Sequence, residues 1–220
     1  MKKVLVFVSL NLVSFLFIQS VSFGANPQPV KGGRLPVINL PIPKNPHEKM
    51  YLGLSGDGFF KIQQIKAKAV LIKIFNLYCP VCQSTAPAMA ELYHQIENYP
   101  DLKEKMKFIG IGAGNSLLEV EGFKQANNIP FPVFPDEDFE IHKVLGEVRT
   151  PFFIATRMNR DGSYEIVHTH LGALTEVQAF LDLMLEAYGI HQDDLQKKEK
   201  LATSTADESS SDDKLKLKIR

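Results

Sequence analysis

Net charge is missing from this chain: 25 Lys and Arg side chains are balanced by 25 Asp and Glu in 220 residues. A nucleic-acid binder needs a basic field along one face, so basic nucleic-acid binders are disfavoured. Cysteine is nearly missing, with two in the whole chain. A disulfide-stapled mini-protein is therefore excluded as well. At roughly 100–200 residues per domain, the length suits one domain with its own core plus tails. Tryptophan is absent altogether, which by itself excludes nothing. Internal repeats are absent too. The one long apolar run lies at the N-terminus.

There, Met1-Lys2-Lys3 is followed by Val4 to Ile18, apolar except for Ser9, Asn11 and Ser14, and then by small residues from Ser20 to Ala25. This is the pattern of a secretory signal peptide, with cleavage expected after Gly24, so residues 1–24 read as signal. An uncleaved anchor is the alternative, because Val4 to Val21 is borderline for the ~17–25 residues of a membrane span. No cysteine lies near the cleavage region, so a lipoprotein anchor is not expected. Either reading implies a periplasmic or otherwise extracytoplasmic protein, membrane-anchored if the segment stays. Residues 25–48 carry six prolines between Asn26 and Pro46 and read as an extended lead-in. At the other end, residues 191–220 hold seven acids and seven bases from Asp193 onward, a charged tail expected to be disordered. The folded unit is then 49–190.

Within it, strands and helices alternate. Ala69 to Phe75 is an apolar, β-rich run, a buried strand. Met89, Leu92, Tyr93 and Ile96 mark one face of a helix from about Pro80 to Glu97. A strand at Phe108–Ile111, a helix at Leu117–Ala126, a short strand at Phe131–Phe134 and a helix near Phe139–Leu145 follow. Asn159-Arg-Asp-Gly162 is a turn between two apolar runs, 152–156 and 164–168, so these read as a hairpin. Thr175-x-x-Gln178 looks like a capping box opening the last helix, whose stripe is Val177, Phe180, Leu181, Met184, Leu185 and Tyr188. The expectation is an α/β sandwich.

Chemistry concentrates at Cys79-Pro80-Val81-Cys82, where a strand meets a helix. Pro80 suits a first helical turn, since its missing N–H would have no helical partner. Unpaired N–H groups and positive partial charge at a helix start favour a thiolate over a thiol. Cys79 is expected to attack a partner disulfide and Cys82 to resolve the mixed disulfide. Three bland alternatives compete. A structural disulfide over so short a loop restricts the unfolded chain little. A structural zinc site needs four ligands, and no second CxxC or paired Cys/His cluster is present, so no metal is expected. Buried inert thiols do not suit a helix start. Elsewhere, Gly110-Ile-Gly112-Ala-Gly114 has its third glycine misplaced for dinucleotide binding and reads as a βα turn. His168 and His170 share a strand face but lack further ligands. Asp136-Glu-Asp138 reads as a helix start without calcium-loop spacing.

With these residues in view, the chain resembles the thioredoxin superfamily, over about Lys61 to Tyr188. Within it the likeness is to the exported thioredoxin-like redoxins (TlpA- and ResA-like) related to the AhpC/TSA group. Pro87, eight residues past Cys79, matches the proline that kinks the family's active-site helix. Thr150-Pro151 looks like the cis-proline beside the CxxC, which helps hold a substrate backbone, and Gly172 to Thr175 is similar to the approach to the family's last helix. The Cys79-to-Pro151 spacing resembles the inserted βα element of the exported redoxins. The resemblance implies a thioredoxin-like three-layer fold ending in a β-hairpin and helix, and an exported thiol:disulfide oxidoreductase acting on protein dithiols and disulfides. It implies no bound cofactor, a monomer, more reductase than oxidase, and a membrane electron donor as partner. Cys79 and Cys82 would be catalytic, with Tyr78, Pro80, Val81, Thr150 and Pro151 shaping the substrate groove.

Two departures stand out. Tyr78 occupies the place of the family's usual Trp. Lys73 occupies the place of a buried acid that serves the resolving thiol, which removes the usual proton acceptor. A Lys73 ammonium near the thiols would lower their pKa, stabilise the reduced form and make a better oxidant. The alternative is that Lys73 snorkels to solvent. Two other functions are weighed. A peroxiredoxin-like thiol peroxidase resembles PxxxTxxC, but Asn76 stands three before Cys79 and Cys79 three before Cys82, so the Thr is missing in both registers. A non-enzymatic partner-binding module on the same fold would not need the intact CxxC.

Overall fold

The computed structural model describes residues 26–189. The expected signal segment 1–24 and tail 191–220 lie outside the described residues. Among the described residues no helix is long and apolar enough to cross a membrane.

Ala69 to Phe75 forms β3 (Ala69–Phe75), and Met106–Ala113 forms β4; every residue of both strands is buried. That explains their unbroken apolar runs, since a strand covered on both faces has no solvent side to mark with polar residues. The main sheet has the order β5-β4-β3-β6-β7, with β5 (Val133–Asp136), β6 (Phe152–Met158) and β7 (Tyr164–Leu171). β3, β4 and β5 run parallel, while β6 and β7 are antiparallel and form the expected hairpin. Gly162 takes a left-handed φ of 79° in its turn, which a Cβ would resist.

Strand alternation divides the core in two. Ala69, Leu71 and Phe75 face α2 (Pro80–Ser84), α3 (Ala86–Asn98), α5 (Leu117–Ala126) and α7 (Val177–Tyr188). Val70, Ile72 and Ile74 face a second cluster, built from Leu35, Ile38 and Leu40 of the lead-in, Leu52 of α1 (Pro46–Leu52), Phe60 of β2 (Phe59–Lys61), and Leu145 just after α6 (Glu140–Val144). A short α4 (Pro100–Lys105) leads into β4.

Three expectations change. The single helix over 80–97 is broken at Thr85, which has φ −88° and ψ −2°. Pro87 has no N–H to donate to the carbonyl of Gln83, and its ring crowds that carbonyl, so the ladder stops there. The last helix has no capping box: its N-cap is Glu176, without a side-chain cap bond, and Gln178 instead donates to Asp182 at 2.7 Å. Helix onset at Val177 leaves Thr175 one residue too early. Finally, the proline-rich lead-in is not a free linker. The Gly32 and Leu35 N–H groups donate to Ile166 and Tyr164 carbonyls of β7, both at 2.8 Å, and β1 (Asn39–Pro41) pairs antiparallel with β2. The packed unit therefore begins well before residue 49.

Candidate active site

β3 ends at Phe75, and the loop Asn76-Leu77-Tyr78 delivers the chain to Cys79. Side-chain amides hold that loop. Asn76 donates to the Ala113 carbonyl (2.8 Å) and accepts from the Tyr78 N–H (2.8 Å). Asn115, fully buried, accepts from the Leu77 N–H (3.0 Å), and Gln83 donates to the Leu77 carbonyl (2.7 Å). Asn115 comes from the turn after β4, so the ends of the two central parallel strands are tied together beneath the cysteines. Sequence reading missed all three amides. The available signal was an Asn one or two residues beyond each of two buried strands, a position from which short amides bond backbone.

Cys79 is the N-cap of α2, with Pro80 next, and the Gln83 N–H donates to the Cys79 carbonyl (3.1 Å). Both cysteines are free thiols, Cys79 half-buried and Cys82 fully buried. Their electrostatics differ. Burial would raise Cys79, but its contacts with Cys82, with Thr150 and with the Val81 N–H outweigh that and hold the thiol below its usual value. Burial pushes Cys82 up to about 11. One sulfur is thus half-buried and ready to ionise, while its neighbour is sheltered and holds its proton.

The Cys79 thiol donates to the Thr150 carbonyl at 3.6 Å, and the Thr150–Pro151 peptide bond is cis. Pro151 is buried, and its carbonyl accepts from the Gly172 N–H (2.9 Å). Val81 and Tyr78, the sequence neighbours of the cysteines, are exposed. The Tyr78 hydroxyl donates to the Glu119 carboxylate. Glu119 also accepts from the Ser116 N–H (2.7 Å) in the capping box of α5, so the residue before Cys79 is pinned to that helix start.

Lys73 does not snorkel. It is 2% exposed, and its Nζ donates to Thr85 Oγ1 at 3.3 Å. Burial pushes its ammonium down to about 8, against the upward pull of Cys82 and Cys79. Thr85, at the break between α2 and α3, has its hydroxyl 3.0 Å from the carbonyls of both Val81 and Cys82.

The remaining candidates lie elsewhere. His168 and His170 present their rings edge-on to Phe180, at 6.0 and 5.7 Å. Asp136 accepts from the Ile141 and His142 N–H groups (2.9 and 2.8 Å) at the start of α6. Among the described residues no cluster of three His, Cys, Asp or Glu is arranged to hold a metal.

Residues 54–161 match the model of the AhpC/TSA family. A thiol-disulfide oxidoreductase ResA from Halalkalibacterium halodurans is 26% identical over 126 residues, covering 56% of this chain and 66% of that protein. The chain thus spans just under two thirds of that relative. A ResA from Bacillus cereus is 27% identical over 143 residues, covering 60% of this chain and 76% of the other. The thioredoxin domain of a thiol-disulfide oxidoreductase from Bacteroides vulgatus superposes with a TM-score of 0.52 at 14% identity, covering 71% of this chain and 99% of that one; it shares the fold.

Proposed function

We propose, from the match of residues 54–161 to the AhpC/TSA family, a thiol:disulfide oxidoreductase that exchanges its Cys79/Cys82 dithiol with disulfides of protein substrates. The observation that carries the reading is the unequal pair: a half-buried thiol with lowered pKa at a helix start, backed by a buried thiol raised to about 11. Thiolate is the attacking species, so the chain's own environment selects Cys79 for the first step.

Cys79 Sγ attacks one sulfur of the substrate disulfide. The substrate S–S bond breaks, a Cys79–substrate mixed disulfide forms, and the departing substrate thiolate takes a proton. Cys82 then loses its proton and attacks Cys79 Sγ. The mixed disulfide breaks, the second substrate thiolate leaves and is protonated, and Cys79–Cys82 ends oxidised while the substrate gains two electrons. The Thr150 carbonyl, 3.6 Å from the attacking sulfur, and buried Pro151 form the wall along which a substrate backbone lies. Exposed Tyr78 and Val81 flank that approach with apolar surface. The protein works as an exported monomer, cleaved after Gly24 or anchored there, and as a reductase resupplied by a membrane electron donor.

Equilibration of the pair against glutathione and dithiothreitol tests the reading. A reversible disulfide near thioredoxin's roughly −270 mV is expected, and one near −120 mV would reverse the direction to oxidase. Cys82→Ser should trap the mixed disulfide, and Cys79→Ser should form none. Absence of any reversible disulfide in the wild type would overturn the oxidoreductase reading.

A further inference from the structure

Lys73 sits in the middle of β3, between Ile72 and Ile74. Alternation sends those two isoleucines into the core under the lead-in, and sends Lys73 with Leu71 and Phe75 toward the active-site helix. Its neighbours across the sheet are Gly110 of β4 and Phe153 of β6, neither of them titratable. Its Nζ lies 5.7 Å from the Phe75 ring centroid and 6.0 Å from that of Phe153. From the helices above, Thr85 accepts its one hydrogen bond among the described residues, and the only titratable groups acting on it are Cys82 and Cys79, with Cys82 the stronger.

An ammonium carries three N–H donors and no acceptor, whereas a neutral amine carries two donors and a lone pair. With a single acceptor in reach and no carboxylate, the charged form leaves buried donors unpaired, at a cost the neutral form lessens. A buried lone pair tied through Thr85 Oγ1 to the Cys82 carbonyl is a base on the resolving side of the pair. Cys82 holds its proton tightly yet must release it to resolve a mixed disulfide. The groups acting on it are the Asn76 backbone, Cys79 and Thr150, none of which is an ordinary proton acceptor once Cys79 is in a mixed disulfide.

We propose that Lys73 is the proton acceptor for Cys82 in the resolving step, and the donor that reprotonates Cys82 when the protein disulfide is opened. This rests on the dithiol exchange argued above. In resolution, the Cys82 S–H bond breaks, its proton passes to the Lys73 amine, and the new S–S bond with Cys79 forms as the substrate thiolate leaves. The ammonium then gives up its proton to that thiolate or to water. No electrons reside on Lys73, and the two-electron exchange stays among the sulfurs. Thr85 positions the amine and lies against the Cys82 carbonyl, so Nζ is held on the resolving side of the pair.

Dithionitrobenzoate separates the steps. Its first thionitrobenzoate release is second-order and reports Cys79, and its second is unimolecular and reports Cys82 closing on the mixed disulfide. Lys73→Met, apolar and of similar length, should slow the second release roughly 100-fold at neutral pH, the span of a general base, and leave the first unchanged. In the wild type, the second release should rise with pH to a plateau with its midpoint at or below about 8, because Cys79 charge no longer raises Lys73. In Lys73→Met it should keep climbing toward the Cys82 ionisation near 11. An unchanged second phase would overturn the proposal. So would a parallel shift of both phases, which a fixed charge acting on both thiols would give. Should Lys73→Met not fold, a wild-type second phase with no plateau below pH 10 would overturn it equally. A wild type that releases once and never closes its disulfide would instead overturn the dithiol exchange itself, and this role with it.

Discussion

Lys73 leaves a second mark, on stability. Its folded pKa, about 8, lies below the ordinary 10.5, so between those values the unfolded chain holds a proton that the folded chain has lost. Stability of the reduced protein therefore rises with pH across that window and is lost again as pH falls through it. Cys82 has the opposite sign. Raised from 9.0 to about 11, its stabilising share is complete below 9 and is lost as pH climbs to 11. Cys79, lowered, adds to the Lys73 trend below 9. Between pH 8 and 9 the reduced wild type should gain on the order of 1 kcal/mol relative to Lys73→Met. Urea midpoints at the two pH values check this, and parallel changes in both proteins would contradict it. That a lysine stands six residues before Cys79 is plain in the sequence. Its burial is not, because a long amphipathic side chain in a buried strand can reach water or stay in, and only the packing of Thr85, Phe75 and Phe153 decides which.

Among the elements, the α5 start carries the most consequence for the site. Ser116 and Glu119 cap it reciprocally, and Tyr78 adds its hydroxyl to the same carboxylate. Ser116→Ala should cost about 1 kcal/mol of stability by the loss of that cap. Asn115→Ala should cost roughly 1–3 kcal/mol, because the Leu77 N–H loses its partner in a half-buried loop. The distinguishing readout for Asn115→Ala is the site: with its loop untied, the Cys79 thiol should lose part of its depressed pKa, seen as an alkylation midpoint shifted to higher pH. Thermal unfolding together with iodoacetamide alkylation measures both, and a stability loss with an unmoved midpoint would show that the amide serves the fold alone. Boundaries of β3 and α5 were legible because periodicity and turn residues mark them locally. The break at Thr85 was half legible: Pro87 stood in the pattern, but the apolar stripe ran on past it, since Met89, Leu92 and Ile96 still face one core.

For the whole molecule, the lead-in is the least expected feature. It covers the free edge of β7 with three backbone hydrogen bonds, from Gly32, Leu35 and Ile166, and then supplies Leu35, Ile38 and Leu40 to the second core. An edge strand left bare invites pairing with other chains. Truncation through residue 41 should therefore lower stability by about 5 kcal/mol, from three apolar side chains at roughly 1.5–3 kcal/mol each, and should promote self-association. Denaturant unfolding and light scattering of the truncated chain test this, and an unchanged midpoint would restore the linker reading. Six prolines did announce an extended conformation. They could not announce its docking, because the partners, Tyr164 and Ile166, lie more than a hundred residues away.

What the sequence by itself determined is what short-range physics writes: buried parallel strands as unbroken apolar runs, a helix starting at Pro80, two cysteines in its first turn, a hairpin around Gly162. These need only neighbours within a few residues. Tertiary structure alone decided that Asn76, Asn115 and Gln83 cage the active-site loop, and that Lys73 is shut in behind the active-site helix. Those contacts join residues from separate strands and turns, and a hydrogen bond or a desolvated charge between them exists only once the sheet has brought their ends together.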